Sequence, residues 1–295
     1  MKKSIKTGAQ KALAVVTAAV LATSLLGLAA CGSSSESDEG SATTTDATAD
    51  GDTTITVGAT STPHAEILND VVADILAEEG YTLEVTEFTD YVQPNTAVDE
   101  GELDANYFQH QPYLDEFNEE NGTDIVSVIA VHYEPFGIYS DSLTSLDELE
   151  EGATVAVPND TTNEARSLLL LEQEGLITLD EDAGIEATTN DITDNPLDLQ
   201  FEELEAATVP TVLADVDIAC VNGNYAQEAG LSPSTDAIAT EAADGTAAQT
   251  YANILAVKSG NEDLPKIQAL AEALTSQEVA DYIDATYDGA VLAVF

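Results

Sequence analysis

The sequence predicts an α/β fold, because segments of strand character alternate with segments of helical periodicity through most of residues 54–295. Residues 53–60 (TTITVGAT) resemble a strand that ends in a Gly-containing loop. Residues 63–80 space their apolar side chains as a helix does and stop at Gly80, and residues 81–88 alternate as a second strand. A strand, a helix and a strand in succession are the unit of a parallel sheet.

The same alternation continues to the C terminus and suggests two lobes. Further strands are predicted at 101–108, 125–140, 153–158, 197–204, 216–222 and 251–258, and helices at 111–122, 161–175, 209–215, 264–274 and 276–286. Two continuous crossings, near 132–140 and 248–257, suit a hinge between lobes. We therefore expect residues 54–139 and 250–295 in the first lobe and residues 140–249 in the second.

The N-terminal segment has the features of an export signal. Four lysines within the first eleven residues precede an apolar run, which is typical of a secretory signal peptide over residues 1–30. Leu28-Ala29-Ala30-Cys31 resembles the bacterial lipobox, in which the cysteine becomes the lipidated first residue; the alternative is an ordinary cleavage site before a chance cysteine. Residues 31–53 would then be lipidated Cys31 and a tether. Residues 32–53 lack Leu, Ile, Val, Phe and Tyr, so they cannot form a core.

The charge balance excludes one class of partner. The chain has 56 acidic and 7 basic residues, for a formal net charge of −49. Outside the signal segment the basic residues are Arg166, Lys258 and Lys266. Nucleic acid needs clustered basic side chains, so it is not expected as a partner. With Cys31 lipidated, Cys220 has no disulfide partner and is predicted to be a buried structural residue.

Arg166 is the only arginine, and its position suggests a site. Thr161 and Glu164 fit a capping box at the start of a helix that Gly175 would end. Arg166 lies one turn after Asn163, just beyond a predicted strand, where ligands bind in open α/β sheets. A guanidinium there could bind a carboxylate through two hydrogen bonds, or it could form a structural ion pair with one of the many acidic side chains.

Aromatic, histidine and asparagine side chains provide further candidates. The stretch 104–117 concentrates Tyr107, Phe108, His110 and Tyr113, and Tyr91 lies in a turn-like segment. These rings could line an apolar pocket or simply belong to the core. Asn222 follows a strand and Asn253 interrupts an apolar one, so each needs partners for its amide. A structural role is the alternative for both asparagines.

The sequence has no motif that supports a metal site or an enzyme. His64, His110, His132 and Glu134 could in principle ligate a metal, but no ligand spacing supports a site, and no metal or cofactor is expected. The sequence contains no GxSxG, Walker A or GxGxxG motif, so an enzyme is not expected either.

Several stretches together resemble the NlpA/MetQ family, the substrate-binding lipoproteins of methionine ABC importers. They are GELDANYFQHQPYLDEFN (101–118), VHYEPFGIYS (131–140), VPNDTTNEARSLLLLEQEGLITL (157–179), VNGNYAQEAGL (221–231) and YANILAVK (251–258). The resemblance implies a type II periplasmic-binding-protein fold, with a ligand cleft between two α/β lobes. It also implies that Arg166 and Asn163 hold the carboxylate of methionine, that Asn222 and Asn253 hold its amine, and that its thioether lies among aromatic and histidine side chains. Those side chains are Tyr91, Phe108, His110 and His132.

The resemblance also implies partners and a location. An ABC permease and its ATPase would receive methionine from a protein anchored in the lipid bilayer through Cys31, on the outer face of the cytoplasmic membrane. The ligand could instead be D-methionine, a methionine dipeptide or another apolar amino acid. A metal-binding lipoprotein using His110 and His132, and a surface interaction protein that no longer transports, are the alternatives from other classes.

Overall fold

The computed structural model describes residues 53–241 and 246–295. The predicted signal peptide, Cys31 and almost all of the predicted tether lie outside these residues.

The strands are β1 (Thr54–Thr60), β2 (Thr82–Phe88), β3 (Ala105–His110), β4 (Ile125–Tyr133), β5 (Gly137–Tyr139), β6 (Thr154–Pro158), β7 (Thr178–Leu179), β8 (Ile192–Asp194), β9 (Gln200–Leu204), β10 (Ile218–Val221), β11 (Ala239–Thr240), β12 (Asn253–Lys258) and β13 (Leu292–Ala293).

Helices connect these strands and cover the sheets. They are α1 (Ala73–Glu78), α2 (Gln93–Asp99), α3 (Gln111–Asn121), α4 (Thr161–Gln173), α5 (Gly223–Glu228), α6 (Thr246–Thr250), α7 (Pro265–Leu274) and α8 (Gln277–Thr286). Wider π-type turns at Ser61–Ala65 and Leu68–Val72 lead into α1. Tighter 3₁₀ turns occur at Leu146–Glu148, Gly184–Glu186, Thr189–Asp191 and Val209–Val212. Within the part of the chain that the structure describes, no helix has the length and apolar character needed to cross a membrane.

The first sheet has six strands in the order β13-β4-β12-β3-β1-β2. Strand β1 runs parallel to β2 and β3, whereas β12 runs antiparallel to β3 and β4. A strand from the C-terminal part of the chain therefore lies in the middle of a sheet whose other large strands come from residues 54–133. Apolar side chains of α1, α7 and α8 pack on this sheet and form its main core.

The second sheet has five strands in the order β11-β5-β10-β6-β9. Strand β6 is parallel to β9 and β10, and β5 is antiparallel to β10 and β11. Helix α4 buries the apolar side chains of Leu168, Leu170 and Leu171 in the core beside this sheet, where Cys220 is also buried. The two sheets, with helices packed on them, confirm the predicted α/β fold.

The start of α4 differs from the predicted capping box. Asp160, not Thr161, is the N-cap, and its side chain accepts a hydrogen bond from the backbone N–H of Asn163 at 3.0 Å. An aspartate caps a helix as well as a threonine does, and its charge also favours the positive end of the helix dipole. The Glu164 carboxylate instead accepts from the backbone N–H of Thr189 at 2.9 Å. The predicted stop is correct, since Gly175 adopts a φ of 75° just after the helix.

Candidate functional site

The ends of strands from both sheets meet at one cavity. His110 ends β3 and lies beside Asn253, the first residue of antiparallel β12. In the second sheet, parallel β6 and β10 lead into the N-termini of α4 and α5, which bring Arg166 and Asn222 to the same edge. The empty space between these groups, including the part that is open to solvent, is ≈ 330 Å³. This is the position that the sequence predicts for a ligand, beyond the carboxyl ends of strands.

The cavity wall contains most of the predicted site residues. They are Tyr91, Phe108, His110, Asn163, Arg166, Asn222 and Asn253. His132 is the exception, because it is fully buried behind the wall, where it contacts other side chains of the first sheet. The wall also includes Glu134 and Asn224, which the sequence analysis did not select as binding residues.

Arg166 forms a buried ion pair as well as lining the cavity. Its Nε donates to Oε1 of Glu241 at 2.8 Å and its Nη2 to Oε2 at 2.7 Å. Nη2 also donates to the backbone carbonyl of Glu134 at 3.1 Å, and the ring of Tyr251 lies 4.3 Å from the guanidinium carbon. Burial opposes the charge of Arg166, but attraction and hydrogen bonding from Glu241 outweigh it and raise the pKa. The structural ion pair that the sequence left open is therefore present.

This pairing still leaves part of the guanidinium for a ligand. Nε and Nη2 make the hydrogen bonds to protein, and among the described residues none engages Nη1. Because the group presents its donors in a rigid plane, one edge can hold Glu241 while another faces the cavity. Arg166 is 4% exposed, so the charge it presents there acts with little screening by water.

Asn163 links the two sides of the cavity. Its Oδ1 accepts hydrogen bonds from Nδ2 of Asn222 at 2.8 Å and from Nε2 of His110 at 3.1 Å. Its Nδ2 donates to Asp160 at 2.7 Å. Nδ1 of His110 in turn accepts from the backbone N–H of Tyr113 at 3.2 Å, which defines a neutral imidazole protonated at Nε2. Burial, with the charge of Arg166, lowers the pKa of His110 to about 3, which keeps the ring neutral.

Two amide groups of the wall have unused hydrogen-bonding capacity. Oδ1 of Asn222 and Nδ2 of Asn224 are buried and have no hydrogen-bond partner among the described residues. Buried polar atoms are almost always paired, so an exception in a cavity wall needs an explanation. One atom is an acceptor and the other a donor, and they flank Gly223 in the same wall. A polar ligand that offers both kinds of group would satisfy them.

Residues 55–295 match the sequence model of the family described as NlpA lipoprotein. The chain belongs to the NlpA lipoprotein family. It is 43% identical over 272 residues to the methionine-binding lipoprotein MetQ of Bacillus subtilis, a match that covers 90% of this chain and 93% of the relative. Both findings confirm the resemblance stated from the sequence.

Solved structures of relatives have the same fold. A putative lipoprotein from Ruminococcus gnavus is 57% identical with a TM-score of 0.81, and the match covers 82% of this chain and 100% of that one. A nutrient-binding protein from Burkholderia cenocepacia, solved bound to methionine, is 44% identical with a TM-score of 0.78 and the same coverage.

Aromatic rings form the apolar wall of the cavity in this NlpA-family chain. The ring centroid of Tyr91 lies 5.7 Å from Phe108, 5.7 Å from Tyr113 and 4.9 Å from Tyr225. Hydroxyl groups fix this cluster, since Tyr91 donates to Oδ1 of Asn224 at 2.6 Å and Tyr113 to the backbone carbonyl of Tyr91 at 3.0 Å. Aromatic faces and edges suit a thioether or another apolar side chain.

His132 belongs to a hydrogen-bond network behind the cavity. Its Nε2 donates to Oε1 of Glu134 at 2.7 Å, and its Nδ1 bonds the hydroxyl of Tyr107. His64 lies beside it, with Nε2 at 3.0 Å from Oδ1 of Asn253 and Nδ1 at 2.7 Å from the hydroxyl of Thr60. Burial lowers the pKa of His64 to about 4 and that of His132 to about 3, so both rings are neutral.

The structure brings together a different set of possible metal ligands from the pair that the sequence suggested. His110 and His132 have separate partners, so the proposed pair does not form one ligand set. The donor atoms of His64, His132 and Glu134 instead lie within 4.8 Å of one another. Each imidazole nitrogen in this group already has a protein partner, so the contacts describe a hydrogen-bond network. The sequence feature that could have indicated this hydrogen-bond network is Glu134, two residues after His132 on a buried strand.

Proposed function

We propose that this protein captures methionine outside the cytoplasmic membrane and delivers it to an ABC permease. The observation that carries the proposal is one cavity that combines a buried arginine edge, an unpaired amide acceptor and donor, and a wall of aromatic rings. The methionine named in the B. subtilis and B. cenocepacia relatives supports the same ligand.

The ligand would lie across the cavity with its two charges on different residues. The Nη1 edge of Arg166 would take the carboxylate, and Oδ1 of Asn222 would accept from the ammonium group. Asn163 would position Asn222 and His110, because its own amide is already occupied by protein partners. Asn253 would contribute to the amine side. The thioether would lie among Tyr91, Phe108 and His110, with His132 supporting this wall from behind.

Transport would follow from closure of the two lobes on the ligand. Residues 54–139 and 250–295 would form one lobe and residues 140–249 the other, and contacts of methionine with both would favour the closed form. The protein would be held in the lipid bilayer through acylated Cys31, on the outer face of the cytoplasmic membrane. The permease and its ATPase would then move methionine inward, and the binding protein itself would catalyse no reaction.

A binding screen on the full-length chain tests this proposal. The protein is unfolded and refolded to remove any bound ligand, and then studied by thermal shift and calorimetry with L-methionine, D-methionine, Gly-Met, other amino acids and zinc. We expect stabilisation by methionine, and its loss in Arg166→Ala. Lys258→Ala is the matched control, since it removes an exposed cation and should bind as the wild type does. If refolded wild-type protein responds to no amino acid or dipeptide, the proposal is wrong.

A further inference from the structure

Glu134 is a buried carboxylate in the cavity wall for which the proposed function assigns no role. We propose that Glu134 is the counter-ion of the ligand's α-ammonium group and makes this site selective for ligands with a free α-amine. The inference rests on the proposed function, because it requires an amino acid in the cavity. It assigns a recognition element to the site in addition to the asparagine amides.

The position of Glu134 places a charged acceptor beside the unpaired amide acceptor. Its side chain is 5% exposed, and Oε1 accepts from Nε2 of His132 at 2.7 Å. The carboxylate packs directly over Gly223: a Cβ atom there would lie 2.7 Å from Oε2 of Glu134. Gly223 is the residue between Asn222 and Asn224. The carboxylate therefore shares one wall with Oδ1 of Asn222, and two oxygen acceptors on one wall suit a cation.

The charges around the cavity leave a place for a cation. Arg166 is already compensated by Glu241 through two short hydrogen bonds. His132 and His64, the rings nearest to Glu134, are neutral. Burial raises the pKa of Glu134 above its usual value, although the charge of Arg166 and a hydrogen bond from the backbone N–H of Asn224 oppose this. A ligand ammonium group would favour the ionised carboxylate and compensate its buried charge.

This arrangement separates the two ends of a zwitterion. The carboxylate of the ligand lies toward Arg166 and its ammonium toward Glu134, so an α-amino acid brings no net charge into the cavity. A ligand with the same carboxylate and thioether but no amine would leave Glu134 without a cation. An N-acylated amino acid would in addition place a bulky neutral group against the carboxylate. The site should therefore reject deaminated and N-acylated methionine.

The test compares two ligands in two matched glutamate variants. Calorimetry of the full-length refolded chain measures the affinity for L-methionine and for 4-(methylthio)butanoate, the analogue that lacks the amine. Glu134→Gln keeps the shape of the side chain and removes its charge. Glu164→Gln is the control, because Glu164 is also a buried glutamate but lies on α4 outside the cavity wall, where it accepts from the backbone N–H of Thr189.

We expect Glu134→Gln to weaken methionine binding by about 10- to 100-fold, the range for a hydrogen bond to a charged group. Its affinity for 4-(methylthio)butanoate should change by less than about 3-fold, so the preference for the amine nearly disappears. Glu164→Gln should keep the wild-type preference. Equal weakening of both ligands, or unchanged methionine binding, would overturn the inference.

Two further results separate this inference from the proposed function. If wild-type protein binds neither methionine nor the analogue, the proposed function fails. If it binds both equally, methionine capture stands and the role of Glu134 is wrong. Should Glu134→Gln not fold, Glu134→Asp retains the charge but withdraws it by one methylene, and the preference for methionine over the analogue should fall without vanishing. An unchanged preference in that variant would also contradict the inference.

Discussion

The carboxylate of Glu241 holds the guanidinium of Arg166 side-on, with N–O distances of 2.8 and 2.7 Å. Glu241 also accepts from the hydroxyl of Tyr133 at 2.9 Å and from the backbone N–H of Phe136 at 3.3 Å. These partners lie at the passage from the first sheet to the second. The pair therefore fixes the candidate ligand-binding arginine to one of the two connections between the sheets.

Removing the charge of Glu241 should destabilise the ligand-free protein. Glu241→Gln leaves a buried guanidinium without its counter-ion, which typically costs about 3–5 kcal/mol. Urea unfolding of the ligand-free protein measures this loss. The double variant Arg166→Gln/Glu241→Gln should lose less than the sum of the two single variants, because the single variants each leave a charge unpaired. Additive losses would show that the two side chains do not compensate each other.

Asn222→Ala should weaken methionine binding more than it weakens the fold. The change removes the unpaired Oδ1 acceptor from the cavity wall, together with the donor to Asn163. We expect affinity to fall by about 10-fold or more in calorimetry. Asn195→Ala provides the control, since the side chain of Asn195 bonds only the backbone of nearby Leu199. Equal methionine affinities in the two variants would remove Asn222 from the binding site.

Gly223→Ala should displace the Glu134 side chain. The new methyl group would lie 2.5 Å from Cβ of Glu134, so one of the two residues must move. We expect weaker methionine binding and a loss of stability of about 1–3 kcal/mol, the range for an overpacked core site. In the background of Glu134→Gly, which removes Cβ together with the carboxylate, the Gly223 substitution should cost less, as measured by urea unfolding. An undiminished cost would place the clash elsewhere.

His64 should make the fold less stable as the pH falls. Its folded pKa of about 4 lies below the ordinary value of 6.5, because burial disfavours the charged ring. Its contribution to stability is therefore fully present above pH 6.5 and is lost as the pH falls toward 4, where the unfolded state binds one more proton. His64→Gln removes this difference. Near pH 5, the free energy of unfolding should rise with pH in both proteins. The slope should be steeper in the wild type than in His64→Gln, by about 1.4 kcal/mol per pH unit. Parallel pH profiles in urea unfolding would contradict the assignment.

The sequence was sufficient for the α/β fold and for the placement of Arg166. Local periodicity identifies strands and helices, and the carboxyl-edge rule locates a ligand site without knowledge of side-chain contacts. The single arginine could also be singled out from composition. These features depend on short segments of chain or on counting, and both are visible in one sequence.

The partners of these residues depended on distant parts of the chain. Glu241 lies 75 positions from Arg166, and nothing local distinguishes it among 56 acidic residues. Asp160 and Thr161 are adjacent, and both residue types are good N-caps. Which of them caps α4 depends on the residue at which β6 ends. His132 could not be placed behind the wall from the sequence, because that depends on which face of β4 meets Tyr107 and Glu134.

The central position of β12 also constrains how an exported chain can assemble. All strands of the second sheet lie within one continuous stretch, 137–240, so that sheet needs no residue beyond it. In the first sheet, β3 and β4 become neighbours of one strand only when residues 253–258 arrive. Under the proposed function the chain crosses the membrane N-terminus first, and it would then carry β3 and β4 with open edges until residues 253–258 emerge, a period in which those edges can pair with other chains. Assembly of the first sheet would thus depend on completing export of the segment that contains β12.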